Sequence, residues 1–184
     1  MSEQGPNAPL LSGPSDGPHR RRREQLHITF VCTGNICRSV MAEKMFADQL
    51  RCRGLADAVR VTSAGTGNWH VGQCADDRAT DVLRAHGYPT EHRAAQVDAD
   101  HLAADLVVAL GRNHLRMLHQ LGVDEERVRM LRSFDPRSGA HALDVEDPYY
   151  GDAQDFEDVF TVIEASLPGL HDWVDDRLGR NGSG

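Results

Sequence analysis

Cys32 and Arg38 bound the run Cys32-Thr33-Gly34-Asn35-Ile36-Cys37-Arg38-Ser39, whose residue types could handle a phosphate. The cysteine ends an apolar stretch, and the arginine falls where a helical pattern begins. A free thiol titrates at about 8.5, but a helix N-terminus and a neighbouring cation lower that by several units and leave a nucleophilic thiolate. The first turn of a helix points unpaired N–H groups back toward the loop before it. The backbone amides of Thr33, Gly34, Asn35, Ile36, Cys37 and Ser39 would complete a ring of donors. Arg38 adds a permanent charge and a fork matched to phosphate oxygens. Gly34 is expected to give the turn its conformational freedom. Ser39 can donate its hydroxyl to the sulfur, and Asn35 can hold the loop through its side-chain amide. A buried structural cysteine beside an unrelated arginine is the plainer alternative, but strand, cysteine, glycine, arginine and helix occur in the order a phosphate cradle needs.

A thiolate that displaces a phosphate ester needs an acid to protonate the leaving oxygen. Asp147, in Glu146-Asp147-Pro148-Tyr149-Tyr150-Gly151-Asp152, is the candidate, with Asp144 and Glu146 as rivals. Pro148 restricts the backbone of Asp147, and Tyr149 and Tyr150 could flank an aromatic substrate. Aromatic walls and nearby carboxylates would favour the protonated acid. Taken alone, Asp-Pro is only a turn signal. Other phosphate motifs fail: no Walker sequence is present, and Gly65-Thr66-Gly67-Asn68-Trp69-His70 lacks the third glycine of a dinucleotide fingerprint.

These groups need a scaffold. After residue 25, strand and helix signals alternate. Strands are expected at His27–Val31, Ala58–Ser63, Asp105–Leu110 and Val128–Leu131. Helices are expected at Arg38–Arg51, Asp76–His86, Arg112–Leu121 and from about Asp155 onward, with Pro168 kinking or splitting the last. Ser133–Asp152 reads as a long loop, a common seat of function. Such alternation implies a single α/β domain, 25–180, with a parallel sheet covered on both faces. Its ligand would sit beyond the carboxyl ends of the strands.

The 184 residues suffice for one domain with a substantial core. Residues 1–24, which end in the basic run Arg20–Arg23, are expected to be disordered, as is the short tail 181–184. The basic run precedes no apolar segment, so it does not read as a secretory signal. A net charge of −8 argues against nucleic acid as a partner, and no apolar stretch is long enough to span a membrane. The four cysteines and ten histidines show no zinc spacing, so no metal or cofactor is expected. Cysteine usage suits a reducing cytoplasm.

With both chemical pieces in view, the chain resembles the low-molecular-weight protein tyrosine phosphatases. CTGNICRS followed by MAE, then VTSAGTGNWHVG, then EDPYYGD with an acidic helix behind it, match in order and spacing over about His27 to Arg180. The resemblance implies a three-layer domain with a four-stranded parallel sheet in the order 2-1-3-4. It implies Cys32 as nucleophile, Arg38 as phosphate binder and Asp147 as general acid and then base. Asn35, Ser39, Ser63 and His92 would form a supporting network, and Trp69 and Tyr149 would be pocket walls. On residues alone His92 reads as a surface histidine, Trp69 equally as core, and Trp173 as core. Ile36 is aliphatic where phosphoarginine-directed members carry threonine, which favours phosphotyrosine proteins as substrates.

The resemblance further implies a monomer inhibited by phosphate or vanadate. It implies a partner tyrosine kinase acting on Tyr149 or Tyr150, and either a cytoplasmic location or export without a signal peptide. It gives Cys37 the role of a disulfide partner that protects Cys32 from oxidation; a loop-packing thiol is the other reading. Two positions depart from the family: Val40 stands where proline is usual, and Gly111 where an acid is usual. Both put the rigidity of the site in question. An arsenate reductase of the same fold would need further cysteines downstream, and none follows Cys74. A catalytically silent phosphate-binding or redox module is the remaining alternative.

Overall fold

Every residue of β1 (Leu26–Cys32) is buried, which places this strand inside the sheet. Alternate strand residues face opposite sides. Leu26, Ile28, Phe30 and Cys32 enter the larger core, whereas Val31 enters a smaller one. β2 (Val59–Gly65), β3 (Leu106–Ala109) and β4 (Val128–Met130) complete a four-stranded parallel sheet in the order β2-β1-β3-β4. This is the order the resemblance implied. The computed structural model describes residues 25–181. Residues 1–24 and 182–184 lie outside it, and with them the expectations for both tails and for Arg20–Arg23.

Helices cover both faces. α1 (Arg38–Cys52), α2 (Asp77–Ala85) and α5 (Ala153–Asn181) bring Phe46, Leu83 and Phe156 to the larger core. α3 (Ala99–Leu102) and α4 (Arg112–Gln120) supply Leu102 and Leu118 to the smaller core. Phe30 of β1 meets Phe46 of α1 edge to face at 6.0 Å. Phe30, Met41, Met45 and Phe46 are fully buried, and each such side chain contributes roughly 1.5–3 kcal/mol. The segment joining β1 to α1 is therefore anchored at both ends in the larger core. Cys32 pairs with Gly65 at the last step of the β1–β2 ladder, at the carboxyl edge of the sheet.

The element boundaries shift by a residue or two from expectation, with three larger differences. β2 continues through Gly65, because Gly65 still exchanges backbone bonds with Ala95 and Val97. α3 has no apolar periodicity to announce it; a capping box between Asp98 and His101 defines it instead. Pro168 does not split α5, which runs unbroken from Ala153 to Asn181. Proline removes the bond to the carbonyl four residues earlier. Here that carbonyl belongs to exposed Glu164 and Pro168 is itself exposed, so the lost bond falls on the solvent-facing side of the helix. Trp173 packs half-buried against the larger core, as expected.

The residue after that proline fixes α5 in place. A Cβ on Gly169 would lie 2.1 Å from the carbonyl oxygen of Phe134, in the 3₁₀ turn Leu131–Phe134 that follows β4. Glycine to alanine inside a helix ordinarily gains about 0.8–1.0 kcal/mol. In Gly169→Ala the clash should reverse that sign and cost about 1–3 kcal/mol. Urea denaturation reads it, and a stabilised variant would contradict the close approach.

Candidate active site

The loop from Cys32 to Arg38 turns its carbonyls away from its centre. Cys32 O accepts from Thr66 N–H at 2.9 Å, Thr33 O from Gly67 N–H at 2.9 Å, and Ile36 O from Asp76 N–H at 2.9 Å. Cys37 O accepts from Met41 N–H at 3.1 Å, and Asn35 O from the His92 ring at Nε2, 2.8 Å away. Among the described residues, the N–H groups of Gly34, Asn35, Ile36 and Cys37 donate to no protein group. Backbone donors seldom remain without a partner, so this loop is built to receive an acceptor. α1 starts at Arg38 with Cys37 as its N-cap and no side-chain cap, which leaves its first-turn donors to the same space.

One residue in the loop takes the left-handed conformation, and it is not the glycine. Asn35 has φ 56°, while Gly34 does not have positive φ. Asparagine tolerates this region better than most residues. Gly34 is small for another reason: a Cβ there would lie 2.9 Å from the His70 ring. A tighter constraint falls on Gly65, whose Cβ would stand 2.6 Å from Thr33 O. The sequence offered Gly65 as part of a failed fingerprint and of the stretch that carries the resemblance, without a role; its role is to let β2 approach the loop.

The Asn35 amide organises the side chains beneath the loop. Its Nδ2 donates to Ser39 Oγ and to Ser63 Oγ, both at 2.9 Å, and its Oδ1 accepts from Ala95 N–H at 2.9 Å. Ser39 Oγ is 2.9 Å from Cys32 Sγ, and Ser63 Oγ donates to Glu43. His92 Nδ1 is 3.8 Å from the same Glu43 carboxylate. His92 is thus part of the network and not a plain surface residue. Glu43 was missed by the sequence reading. Its signal was its place one helical turn after Ser39 on α1, on the same face.

Above the loop is a cavity of about 390 Å³ lined by Cys32, Thr33, Gly34, Ile36, Cys37, Arg38, Trp69, His70, Asp147, Tyr149 and Tyr150. Cys32 is 3% exposed at its floor, whereas Trp69 and Tyr150 are 69% and 95% exposed at its rim. Trp69 is therefore wall and not core, and Gly67 makes room for its ring. Tyr149 lies edge-on to Tyr150 at 4.9 Å and 6.3 Å from the His70 ring. His70 was not singled out from sequence. Among the described residues, no three His, Cys, Asp or Glu side chains cluster so as to hold a metal ion.

Asp147 Oδ2 is 3.4 Å from Arg38 Nη2, across the cavity from its own segment. Its rivals Asp144 and Glu146 do not line this cavity. The loop that carries Asp147 is held largely by arginines acting on its carbonyls. Arg38 donates to Val145 O at 3.1 Å and Arg132 to Asp144 O at 3.1 Å. Arg78, locked by a two-point contact with Asp76, donates to Tyr149 O and Gly151 O at 2.9 Å. Arg78 reaches the loop from more than 70 residues away and Arg132 from just before it, and neither carried a motif to reveal it.

Burial pushes the Cys37 thiol well up, and Asp76 adds to the effect, so Cys37 stays protonated. Both cysteines are free thiols and buried. Val40 is fully buried in the first turn of α1, which forms without the family's proline. Gly111 is the N-cap of α4 in an extended conformation open to any residue, and it gives that helix no side-chain cap. On the same helix, His114 is fully buried, with Nε2 2.9 Å from Thr33 Oγ1 and Nδ1 without a partner. Burial, reinforced by Arg38, holds its pKa down to about 4.

Two consequences are measurable. Asn35→Gly loses the amide contacts but keeps the left-handed turn; Asn35→Ala loses both, and should be less stable than the glycine variant by about 1 kcal/mol. Equal melting of the two would contradict the strained turn. The unfolded chain binds a proton at His114 at about 6.5, whereas the folded chain resists it until about 4. The contribution is complete above pH 6.5 and is lost as pH falls toward 4. His114→Asn should flatten the stability profile in that window, seen in denaturation midpoints across pH.

The model of the family described as low molecular weight phosphotyrosine protein phosphatase matches residues 27–182. The low molecular weight protein-tyrosine phosphatase A of Mycobacterium tuberculosis is 80% identical over 159 residues, 86% of this chain and 98% of the relative. The human low molecular weight phosphotyrosine protein phosphatase is 34% identical over 138 residues, 72% of this chain and 85% of its own. Among solved structures, a protein tyrosine phosphatase from Entamoeba histolytica superposes with a TM-score of 0.76 at 26% identity, covering 85% of this chain and 99% of that one. A loop of free amides around a buried cysteine, closed by an arginine and faced by an aspartate, and a match across nearly the whole described chain lead to one conclusion: the chain belongs to the low molecular weight phosphotyrosine protein phosphatase family.

Proposed function

We propose that this chain hydrolyses phosphotyrosine in proteins through a cysteinyl-phosphate. The observation that carries the reading is the loop in which five of the six carbonyls from Cys32 to Cys37 are engaged outward while four unpaired amides and Arg38 gather around Cys32. In the first step the Cys32 thiolate attacks phosphorus, the bond to the phenolic oxygen breaks, and Asp147 gives that oxygen its proton. In the second step Asp147 takes a proton from water, which attacks the cysteinyl-phosphate and releases inorganic phosphate and the thiolate. The loop amides and Arg38 carry the charge on the equatorial oxygens throughout. Ser39 steadies the sulfur, and Asn35, Ser63 and His92 hold the loop. No step draws on a metal.

Trp69, Tyr149 and Tyr150 suit a phenol ring, and apolar Ile36 beside the phosphate site favours phosphotyrosine over phosphoarginine. The raised Cys37 thiol suits a resolving partner for an oxidised Cys32 better than a second nucleophile. Tyr150, the more exposed of the pair, would be the first target of a partner kinase. We read the enzyme as a monomer that phosphate and vanadate inhibit. No helix among the described residues is long and apolar enough to cross a membrane.

A phosphopeptide panel with phosphotyrosine, phosphoserine and phosphoarginine tests the substrate class, and only phosphotyrosine should turn over, blocked by vanadate. Cys32→Ser should abolish turnover; normal activity would sink the assignment, and inactivity of the native chain would favour a silent module. Asp147→Asn should lower kcat/KM for phenyl phosphate by about 10²-fold or more, and p-nitrophenyl phosphate far less, because p-nitrophenolate leaves with little help.

A further inference from the structure

Asp144 occupies a place that no motif assigned to it. The N-cap of α4 is Gly111, which has no side chain to offer, yet the first N–H of the helix is not left bare. Arg112 N–H donates to Asp144 Oδ1 at 2.6 Å, from 32 residues farther along the chain. The next residue, buried Val145, donates its N–H to Leu110 O at 2.9 Å and accepts from Arg38 through its carbonyl. Asp144 and Val145 thus clasp the acid loop to the end of β3 and the start of α4, just before Asp147.

Asp147 itself is poorly held. It is exposed, and its recorded contacts are the ion pair to Arg38 and one bond from Tyr149 N–H at 3.2 Å. Its position is inherited from the backbone on either side. Downstream, Arg78 fixes the loop; upstream, the clasp does. A charge-assisted bond to a backbone N–H at a helix start is among the stronger of such contacts. A Cβ on Gly111 would lie 3.4 Å from Asp144 Oδ1, and an acid there would cap the N–H two or three residues on, so two carboxylates would share one helix start.

We propose that Asp144 is a positioning residue for Asp147: by capping α4 from the acid loop, its carboxylate sets where the general acid stands over the phosphate loop. The inference rests on the reading of Asp147 as that acid. A cap supplied by Gly111→Asp would belong to α4 and would leave the acid loop untied. Either arrangement puts a carboxylate at the start of α4, but only Asp144 ties that start to the acid loop.

The test compares Asp144→Ala, Asp144→Asn, the double variant Gly111→Asp/Asp144→Ala and Asp147→Asn. The readouts are kcat/KM on phenyl and p-nitrophenyl phosphate, inhibition by inorganic phosphate, and thermal melting. Asp144→Ala should lose about tenfold on phenyl phosphate and less than about threefold on p-nitrophenyl phosphate, as a modest misplacement of the acid would give. Its inhibition by phosphate should stay unchanged, since the Cys32 loop is untouched. Asp144→Asn keeps an acceptor and should recover most of the loss. The double variant should regain melting temperature but not the rate on phenyl phosphate. If it regains both, or if Asp144→Ala loses equally on both esters or loses nothing, Asp144 is only a cap and the inference falls. If Asp147→Asn shows no dependence on the leaving group, the reading of Asp147 itself falls, whatever Asp144 does.

Discussion

The constraint on which the site depends is that a short loop must turn its carbonyls out. Five carbonyls between Cys32 and Cys37 find donors in β2's continuation, α2's start, α1 and His92. None of those donors lies in the loop, so the loop cannot hold this shape alone. β2 must approach closely enough to reach Cys32 and Thr33, which Gly65 permits. α2 must begin with Asp76 beneath Ile36. Asn35 must reverse the chain through left-handed φ while its amide binds Ser39, Ser63 and Ala95. The inward electrostatic field, which favours an oxyanion, is thus a by-product of contacts made on the outside.

The acid loop is built on the opposite logic. It forms no ladder of its own, and arginines from α1, α2 and the turn after β4 take its carbonyls. A guanidinium presents several donors in a fixed plane, so one residue such as Arg78 can serve two carbonyls and an aspartate at once. This fixes the loop at points and leaves the intervening side chains exposed. Arg38 belongs to both systems: it closes the phosphate loop and holds Val145, so the two halves of the site share one side chain.

Much of this was legible in the sequence because it was local. The apolar runs of β1 and β3, the face of α1, and the order of Cys32, Arg38 and Ser39 need no distant partner to be read. Asp-Pro-Tyr-Tyr announced a turn, and the resemblance gave it chemical meaning. What escaped was what depends on contacts across the chain. The freedom of the turn was credited to Gly34, whereas its neighbour Asn35 takes the left-handed conformation; either type can, and only the surrounding donors decide. Gly65 is explained by Thr33 in the loop after β1, Glu43 by Ser63, and Arg78 by carbonyls some 70 positions away. Pro168 looked like a break because the pattern does not say which face of the helix its lost bond would open. α3 was invisible because four residues held by a capping box carry no period.

The depth of the cavity acts as a gauge of reach. The sulfur sits at a floor that is almost sealed, and the rings of Trp69 and Tyr150 stand well above it in solvent. An ester must carry its phosphorus down that distance while the main chain to which it is attached stays outside. On the proposed function, a serine or threonine ester, with fewer bonds between phosphorus and main chain, would draw its backbone toward the rings. The longer side chains of phosphotyrosine and phosphoarginine would not. Reach would then sort side chains by length before any hydrogen bond is made.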